Sequence, residues 1–254
     1  MILDEFALTD KVAIVTGSGR GIGRCLAVGL AQAGADIVVT SRHVEQCEET
    51  AKLVRELGRR AFVVTGDLRN SEDVAKMAEK VVAEFGRIDI LVNNAGGTRI
   101  TTPAQDLAEK GWDSVVATNL KSVFLVSQAV GRVMLKQKKG VIVNITSVAG
   151  RDASSLLVAY GAAKAGVVNL TRSLALAWGS SGIRVNCVGP GATGTAEART
   201  VLWNTPEKMA AAVASISLGR IAEPEEIVGP VVFLASDASS FINGQTIWVD
   251  GGKY

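Results

Sequence analysis

Short aliphatic runs alternate along the chain with longer stretches of mixed polarity. The runs are VAIVT (12–16), DIVVT (36–40), AFVVT (61–65), IDILVN (88–93), VIVNIT (141–146), RVNCV (184–188) and QTIWV (245–249). They are apolar on both faces rather than alternating, which predicts strands of a parallel sheet covered by helices on each side. Between them Ile22, Leu26 and Leu30 recur at four-residue spacing, and SEDVAKMAEKVVAEFG predicts a helix that opens on a capping Ser71 and stops at Gly86. Strand–helix–strand alternation of this length predicts right-handed crossovers and a single-domain, doubly wound α/β fold over residues 1–254, with helices on both faces of about seven strands. No linker, low-complexity tract or internal repeat breaks the rhythm. The stretch at 191–225 does interrupt it, and a long excursion near the carboxyl edge of such a sheet reads as a substrate lid.

Composition narrows the function. A net charge of +2 with acids and bases interspersed, and no basic stripe with interleaved aromatics, argues against nucleic acid as a partner. The cluster KQKKG (136–140) reads as the solvated end of a helix. Cys25, Cys47 and Cys187 lie far apart with no CxxC, and His43 is the only histidine, so neither a zinc site nor a disulfide framework is expected. Asp4 and Glu5 stand where a signal peptide would carry cations, and no apolar run approaches the ~20 residues that span a bilayer. A soluble, cytoplasmic protein without metal is the expectation.

After the first strand comes TGSGRGIG, Thr16 to Gly23, with glycines at 17, 19, 21 and 23. Such a loop lets backbone approach a pyrophosphate, and the helix after it offers free N–H groups and a positive dipole end. A tight strand-to-helix turn would also need glycine. The second strand ends in Ser41-Arg42 rather than in a carboxylate that could accept from a ribose 2′-OH. Asp36 opens that strand, roughly 16 Å from its end at about 3.3 Å per residue. Arg42, joined by Arg20 from the glycine loop, could instead pair with a 2′-phosphate, which points to NADP(H) over NAD(H). Either arginine alone could be a solvated surface group.

With one histidine, another group must move protons. In AYGAAKAG, Tyr160 and Lys164 are at i and i+4, so a helix stacks them on one face. A free phenol titrates near ~10, and an adjacent ammonium is expected to lower that value. A packed Tyr–Lys pair on a helix surface is the plainer alternative. Ser147 ends the strand VIVNITS thirteen residues earlier, at the sheet edge where open α/β sheets bind ligands. Asn119, in TNLKSVF, sits inside a helical stretch where its amide needs partners.

The ordered set TGxxxGxG, NNAG (93–96), Asn119, Ser147, YGAAK, PG (190–191) and FLASDASSFINGQTIWVDGG resembles the short-chain dehydrogenase/reductase family over nearly the whole chain. The resemblance implies a Rossmann-type fold and a catalytic tetrad. Tyr160 would exchange a proton with a carbonyl or alcohol oxygen, Ser147 would hold that oxygen, Lys164 would lower the Tyr160 pKa and hold the nicotinamide ribose, and Asn119 would position a water. It also implies a dinucleotide groove of Gly17, Ser18, Gly19, Arg20, Gly21, Ile22 and Gly23, with Asp67 and Leu68 near adenine. Asn94, Ala95 and Gly96 would line that groove, and Pro190, Gly191, Thr193 and Thr195 would meet the nicotinamide end. A homotetramer is implied as well.

The chain looks closest to the 3-oxoacyl-[acyl carrier protein] reductase branch, so a 3-oxoacyl thioester is the first substrate expected. Leu176, however, occupies a position where such reductases often carry an arginine that grips the carrier, while Lys138 matches a second basic docking position. A sugar, polyol or steroid dehydrogenase is the alternative, and a non-catalytic NADP(H) sensor is the reading outside enzymes. Thr98, Arg99, Leu156, Leu157, Trp203 and Met209 are pocket candidates. Arg99 could meet an anionic substrate, and Trp203 with Leu202 could cap an apolar one or simply pack the lid.

Overall fold

The computed structural model describes residues 1–252; Lys253 and Tyr254 lie outside them. The strands are β1 (Val12–Thr16), β2 (Asp36–Thr40), β3 (Ala61–Val63), β4 (Ile90–Asn93), β5 (Gly140–Ile145), β6 (Ile183–Pro190) and β7 (Thr246–Val249). They form one sheet in the order β3-β2-β1-β4-β5-β6-β7, every pair parallel. The helices are α1 (Gly21–Gln32), α2 (Val44–Glu56), α3 (Ser71–Phe85), α4 (Glu109–Val116), α5 (Ser122–Gln137), α6 (Val158–Trp178), α7 (Ala196–Val201), α8 (Pro206–Ala214) and α9 (Val228–Ala235).

Successive strand residues serve opposite faces. Ala13 and Val15 join Leu26, Leu30, Ala51, Val231 and Leu234 in the core on the α1, α2 and α9 side. Val12 and Ile14 join Val74, Met77, Val81, Val126 and Val130 on the α3 and α5 side. Two-sided burial explains why the strands read as unbroken aliphatic runs. Strand ends follow the neighbours. Edge strand β3 has one partner and stops at Val63 instead of 65, whereas β6, paired on both sides, runs on to Pro190. Helix α3 is capped by Asn70 rather than Ser71, because the Asn70 Oδ1 reaches both Glu72 N (2.8 Å) and Asp73 N (3.4 Å). Its other end is Gly86 at φ 75°, in the left-handed region glycine occupies without strain. The excursion after β6 folds as α7 and α8.

Strand order reverses between β1 and β4, which opens a crevice at their carboxyl ends. Beneath it a buried polar chain crosses the sheet. Asn93 Nδ2 donates to Ser127 Oγ (2.9 Å) and to Asn144 Oδ1 (2.8 Å), and Asn144 Nδ2 donates to Thr171 Oγ1 (2.9 Å). All four side chains are buried, so the chain fixes α5, β4, β5 and α6 in one register. Replacing Asn144 by Ala strands donors and acceptors on both sides. We expect a loss of about 3 kcal/mol, read as a fall in Tm of roughly 6–12 °C. A fall of under ~2 °C would show that the chain does not hold the register.

Candidate active site

The crevice is walled by backbone packed too closely for side chains. Gly17 has φ 66°, and a Cβ there would lie 2.9 Å from Ala95 Cα; one on Gly23 would lie 2.2 Å from the Gly17 carbonyl oxygen. Loop and helix start therefore close on each other and on the β4 exit only as glycine. Thr16 Oγ1 accepts from the N–H groups of Asn94 and Ala95, each at 2.9 Å, and Asn94 Nδ2 donates to Thr16 O. No side chain caps the start of α1, whose first N–H groups are left for a ligand. Thr40 Oγ1, buried at the end of β2, has no hydrogen-bond partner among the described residues. These features fit a dinucleotide. Ser18 faces inward instead: its hydroxyl donates to Val15 O and accepts from Thr40 N, tying β1 to β2. Ile22 packs on the core.

At the other end of the crevice, Ser147 caps a short 3₁₀ turn, Val148–Gly150, its Oγ accepting from Ala149 N at 3.2 Å. This turn lies directly on α6. A Cβ on Gly150 would fall 2.7 Å from the Lys164 carbonyl carbon, and one on Gly161 would fall 2.9 Å from the Ala149 oxygen. The small residues around Tyr160 and Lys164 thus serve close approach, bringing Ser147 to the first turn of α6. Lys164 is 3% exposed. Its Nζ donates to the Ile145 carbonyl oxygen (2.8 Å) and stands 5.6 Å from the Tyr160 ring centroid.

Burial lowers the Lys164 pKa to about 8, with Cys187 acting weakly in the other direction. Burial also raises the Tyr160 pKa, against a hydrogen bond with Ser147 that favours the phenolate. The sequence reading of a phenol acidified by its lysine is therefore corrected. Desolvation sets the direction, and the ammonium, bonded to a backbone carbonyl and 5.6 Å from the ring centroid, is not among the groups acting on the phenol.

Asn119 lies in a π-helical turn, Ala117–Lys121, between α4 and α5, a distortion that recurs at functional sites. Its buried amide is fully engaged with backbone. Oδ1 accepts from Gly97 N (2.7 Å), and Nδ2 donates to Gly97 O and Val115 O, each at 2.9 Å. A Cβ on Gly96 would touch both Asn119 Oδ1 and Lys164 Nζ, so these two groups flank the same glycine.

The residues expected at the adenosine end have partners of their own. Ser41 Oγ accepts from His43 N and contacts Cys47 Sγ at 3.0 Å, and Arg42 is exposed beside it. Asp67, expected near adenine, has both carboxylate oxygens gripped by Arg69, which with a smaller effect of Arg42 holds its pKa down to about 2. Leu68 packs on the α3-side core. Arg20, expected at a phosphate, is ion-paired to Glu197 on α7, which also binds Arg99.

In the excursion after β6, Gly191 N donates to Val249 O, Thr193 bridges to Ala222, and Thr195 Oγ1 caps α7 by accepting from Ala198 N. Trp203 and Met209 line a groove within the excursion itself, while Leu156 is exposed and Leu157 precedes α6. Sequence reasoning missed Glu197, Arg69 and the Ile145 carbonyl. An acid two residues after Thr195 was visible, but its partners lie far off in the chain. Among the described residues, no cluster of His, Cys, Asp and Glu could hold a metal ion, and no helix is long and apolar enough to cross a membrane.

Residues 17–253 match the family model described as Enoyl-(Acyl carrier protein) reductase. The chain is 42% identical over 253 residues to the 2-dehydro-3-deoxy-D-gluconate 5-dehydrogenase of Escherichia coli (strain K12), covering 99% of this chain and 98% of that one. It is 43% identical over 250 residues to the D-threitol dehydrogenase of Mycolicibacterium smegmatis, covering 98% and 94%. It superposes with a TM-score of 0.95 and 38% identity on the crystal structure of a gluconate 5-dehydrogenase from Burkholderia cenocepacia J2315 in complex with NADP and tartrate, covering 99% and 98%. These names favour the sugar and polyol alternative over the 3-oxoacyl thioester.

A pH test follows from the buried lysine. Its pKa is depressed in the fold, so between about 8 and the ordinary lysine value near ~10.5 the unfolded chain binds more protons than the native one, and this group makes stability rise with pH. Comparing Tm from pH 7.5 to 9, Lys164→Met should lose that upward contribution. Parallel curves for variant and wild type would mean that Lys164 titrates normally.

Proposed function

The chain belongs to the short-chain dehydrogenase/reductase family, and from that premise we propose that it interconverts a ketone and a secondary alcohol on a polyhydroxy acid or polyol, with NADP(H) as coenzyme. The observation that carries the chemistry is the convergence of Ser147, Tyr160 and buried Lys164 at one end of the crevice. The substrate class is supported by the sugar-acid and polyol names of the relatives and by Arg99, a largely exposed cation at the β4 exit able to meet a carboxylate. Leu176, 88% exposed on α6, offers an apolar surface instead of a grip for an acidic carrier.

Gly17, Gly19, Gly21 and Gly23 with the start of α1 would hold the pyrophosphate. Asn94, Ala95 and Gly96 would line the groove, and Ser41 and Arg42 would bind a 2′-phosphate. Pro190, Gly191, Thr193 and Thr195 would meet the nicotinamide end. Bound there, the coenzyme supplies or accepts a hydride. Tyr160, kept protonated because burial raises its pKa, gives its proton to the carbonyl oxygen. Ser147 donates a hydrogen bond to the same oxygen, and the Lys164 ammonium stabilises the phenolate that remains. Asn119 holds the β4 exit to the π-turn through Gly97 and keeps the floor beside Lys164 in place. A homotetramer through α5, α6 and β7 is part of this reading, supported by exposed Phe124, Leu176 and Phe241.

The test is an NADPH-oxidation screen with a 5-keto sugar acid, a keto polyol, a steroid ketone and a 3-oxoacyl thioester. We expect the keto sugar acid or keto polyol to have the highest kcat/KM, and a thioester turned over about tenfold better (~1.4 kcal/mol) would replace this substrate class. Tyr160→Phe should leave the NADPH Kd near the wild-type value and cut kcat far more than tenfold. Retention of more than roughly a tenth of the activity (~1.4 kcal/mol) would remove Tyr160 from the proton transfer. Ser41→Asp combined with Arg42→Ala should reverse the order of NADPH and NADH affinities. An unchanged order would show that this corner does not meet the 2′ position.

A further inference from the structure

Arg20 stands at a fork. Its glycine neighbours mark the branches: a Cβ on Gly19 would fall 3.2 Å from Ser41 Oγ, whereas one on Gly21 would fall 3.6 Å from the Thr195 side chain. One branch leads to the corner of Ser41 and Arg42, the other to the first turn of α7. The guanidinium takes the second, with Nη2 2.5 Å from Glu197 Oε2. The other Glu197 oxygen is held by Arg99 Nε at 2.8 Å, and the Thr195 cap fixes the turn that presents the carboxylate. Burial alone would raise the Glu197 pKa, but Arg99 and Arg20 outweigh it and lower the value, so the group is an anion at neutral pH. A carboxylate with both oxygens tethered is a persistent competitor for a cation one residue away from the Ser41 side of the loop.

We propose that Glu197 is a coenzyme-specificity residue that acts through Arg20: it draws this guanidinium to the lid and so weakens the preference for a 2′-phosphorylated dinucleotide over its unphosphorylated counterpart. A single cation shared between two anions serves each less well than it would serve one, and the lid carboxylate offsets much of its charge. On this account the 2′-phosphate relies chiefly on Arg42 and Ser41, with Arg20 contributing only as far as Glu197 releases it. The same two ion pairs bridge the lid to the glycine loop and to the β4 exit, so coenzyme choice and lid position share one side chain. The inference rests on the proposed NADP(H) reading and concerns a residue which that reading leaves without a role.

The measurement is the ratio of Kd for NADH to Kd for NADPH, by direct binding, in wild type, Glu197→Gln, Arg20→Ala and the double variant. The ratio isolates the 2′-phosphate, because looser packing of the lid weakens both coenzymes alike. An exposed ion pair of this kind typically accounts for under ~1 kcal/mol, so the ratio should rise about threefold in Glu197→Gln. In the Arg20→Ala background the same substitution should leave it unchanged. A ratio that stays level or falls in Glu197→Gln, with a wild type that favours NADPH, overturns the inference alone. A rise that persists without Arg20 also overturns it, since the effect would then run by another route. A wild type that favours NADH overturns the coenzyme reading and this inference together.

Discussion

A buried ammonium needs a local reason to stay in place, and the carboxyl end of this sheet is organised around that need. Removing a cation from water costs several kcal/mol unless other dipoles replace the solvent. For Lys164 the replacement is the Ile145 carbonyl oxygen at the last residue of β5. The backbone of the lysine is fixed as well, because its own carbonyl accepts from Thr146 Oγ1 at 2.8 Å. Two consecutive residues at the strand end thus clamp one residue of α6 from both directions. The clamp works only where helix and strand end approach closely, and Gly96 and Gly150 are the positions that permit it. Tyr160, one turn earlier on α6, and Ser147, the first residue beyond Thr146, inherit their places from this contact.

Much of this was legible in the residues. Aliphatic runs located every strand because both faces of the sheet are buried, and the glycine loop, Tyr160, Lys164, Ser147 and Asn119 were all marked by motif. What remained hidden depends on partners far away in the chain. The point where β3 stops is set by how far it pairs with β2, which an isolated AFVVT does not reveal. The cap of α3 passed from Ser71 to Asn70 because an amide oxygen reaches two N–H groups at once, a matter of side-chain length rather than of residue class. The π-turn at Asn119 reflects an amide that must serve Gly97 and Val115 together. The direction of the Tyr160 shift required knowing how deeply the ring sits, and spacing along a helix carries no information on depth.

The arginines illustrate the same limit in electrostatic form. In the sequence Arg20 and Arg99 each read as a free cation near a loop, and Arg69 drew no reading. In the fold each has a carboxylate: Arg69 holds Asp67, and Arg20 and Arg99 share Glu197. Arg42, the other arginine expected at a phosphate, is exposed beside Ser41. Pairing of this sort does not remove an arginine from ligand binding, since a guanidinium has five donors. It does change what the arginine offers, from a full charge to an oriented and partly neutralised one. Predicting charge recognition from residue counts therefore overstates it wherever loops bring acids and bases together.

The two shifts at the centre of the site are better understood jointly than singly. Burial pushes the phenol up and the ammonium down, so each is driven toward its neutral form. A pKa of about 8 still leaves Lys164 mostly protonated near pH 7, and Tyr160 is a neutral acid there. On the proposed reading, the strong interaction between them arises only when the phenolic proton departs to the substrate oxygen and a negative charge appears in a poorly solvated space. The lysine then does most at the moment of charge development rather than before it. That is the condition under which an oriented charge lowers a barrier without first stabilising the resting state. A ground-state phenolate would lose this advantage, because the same attraction would stabilise the enzyme before reaction as much as during it.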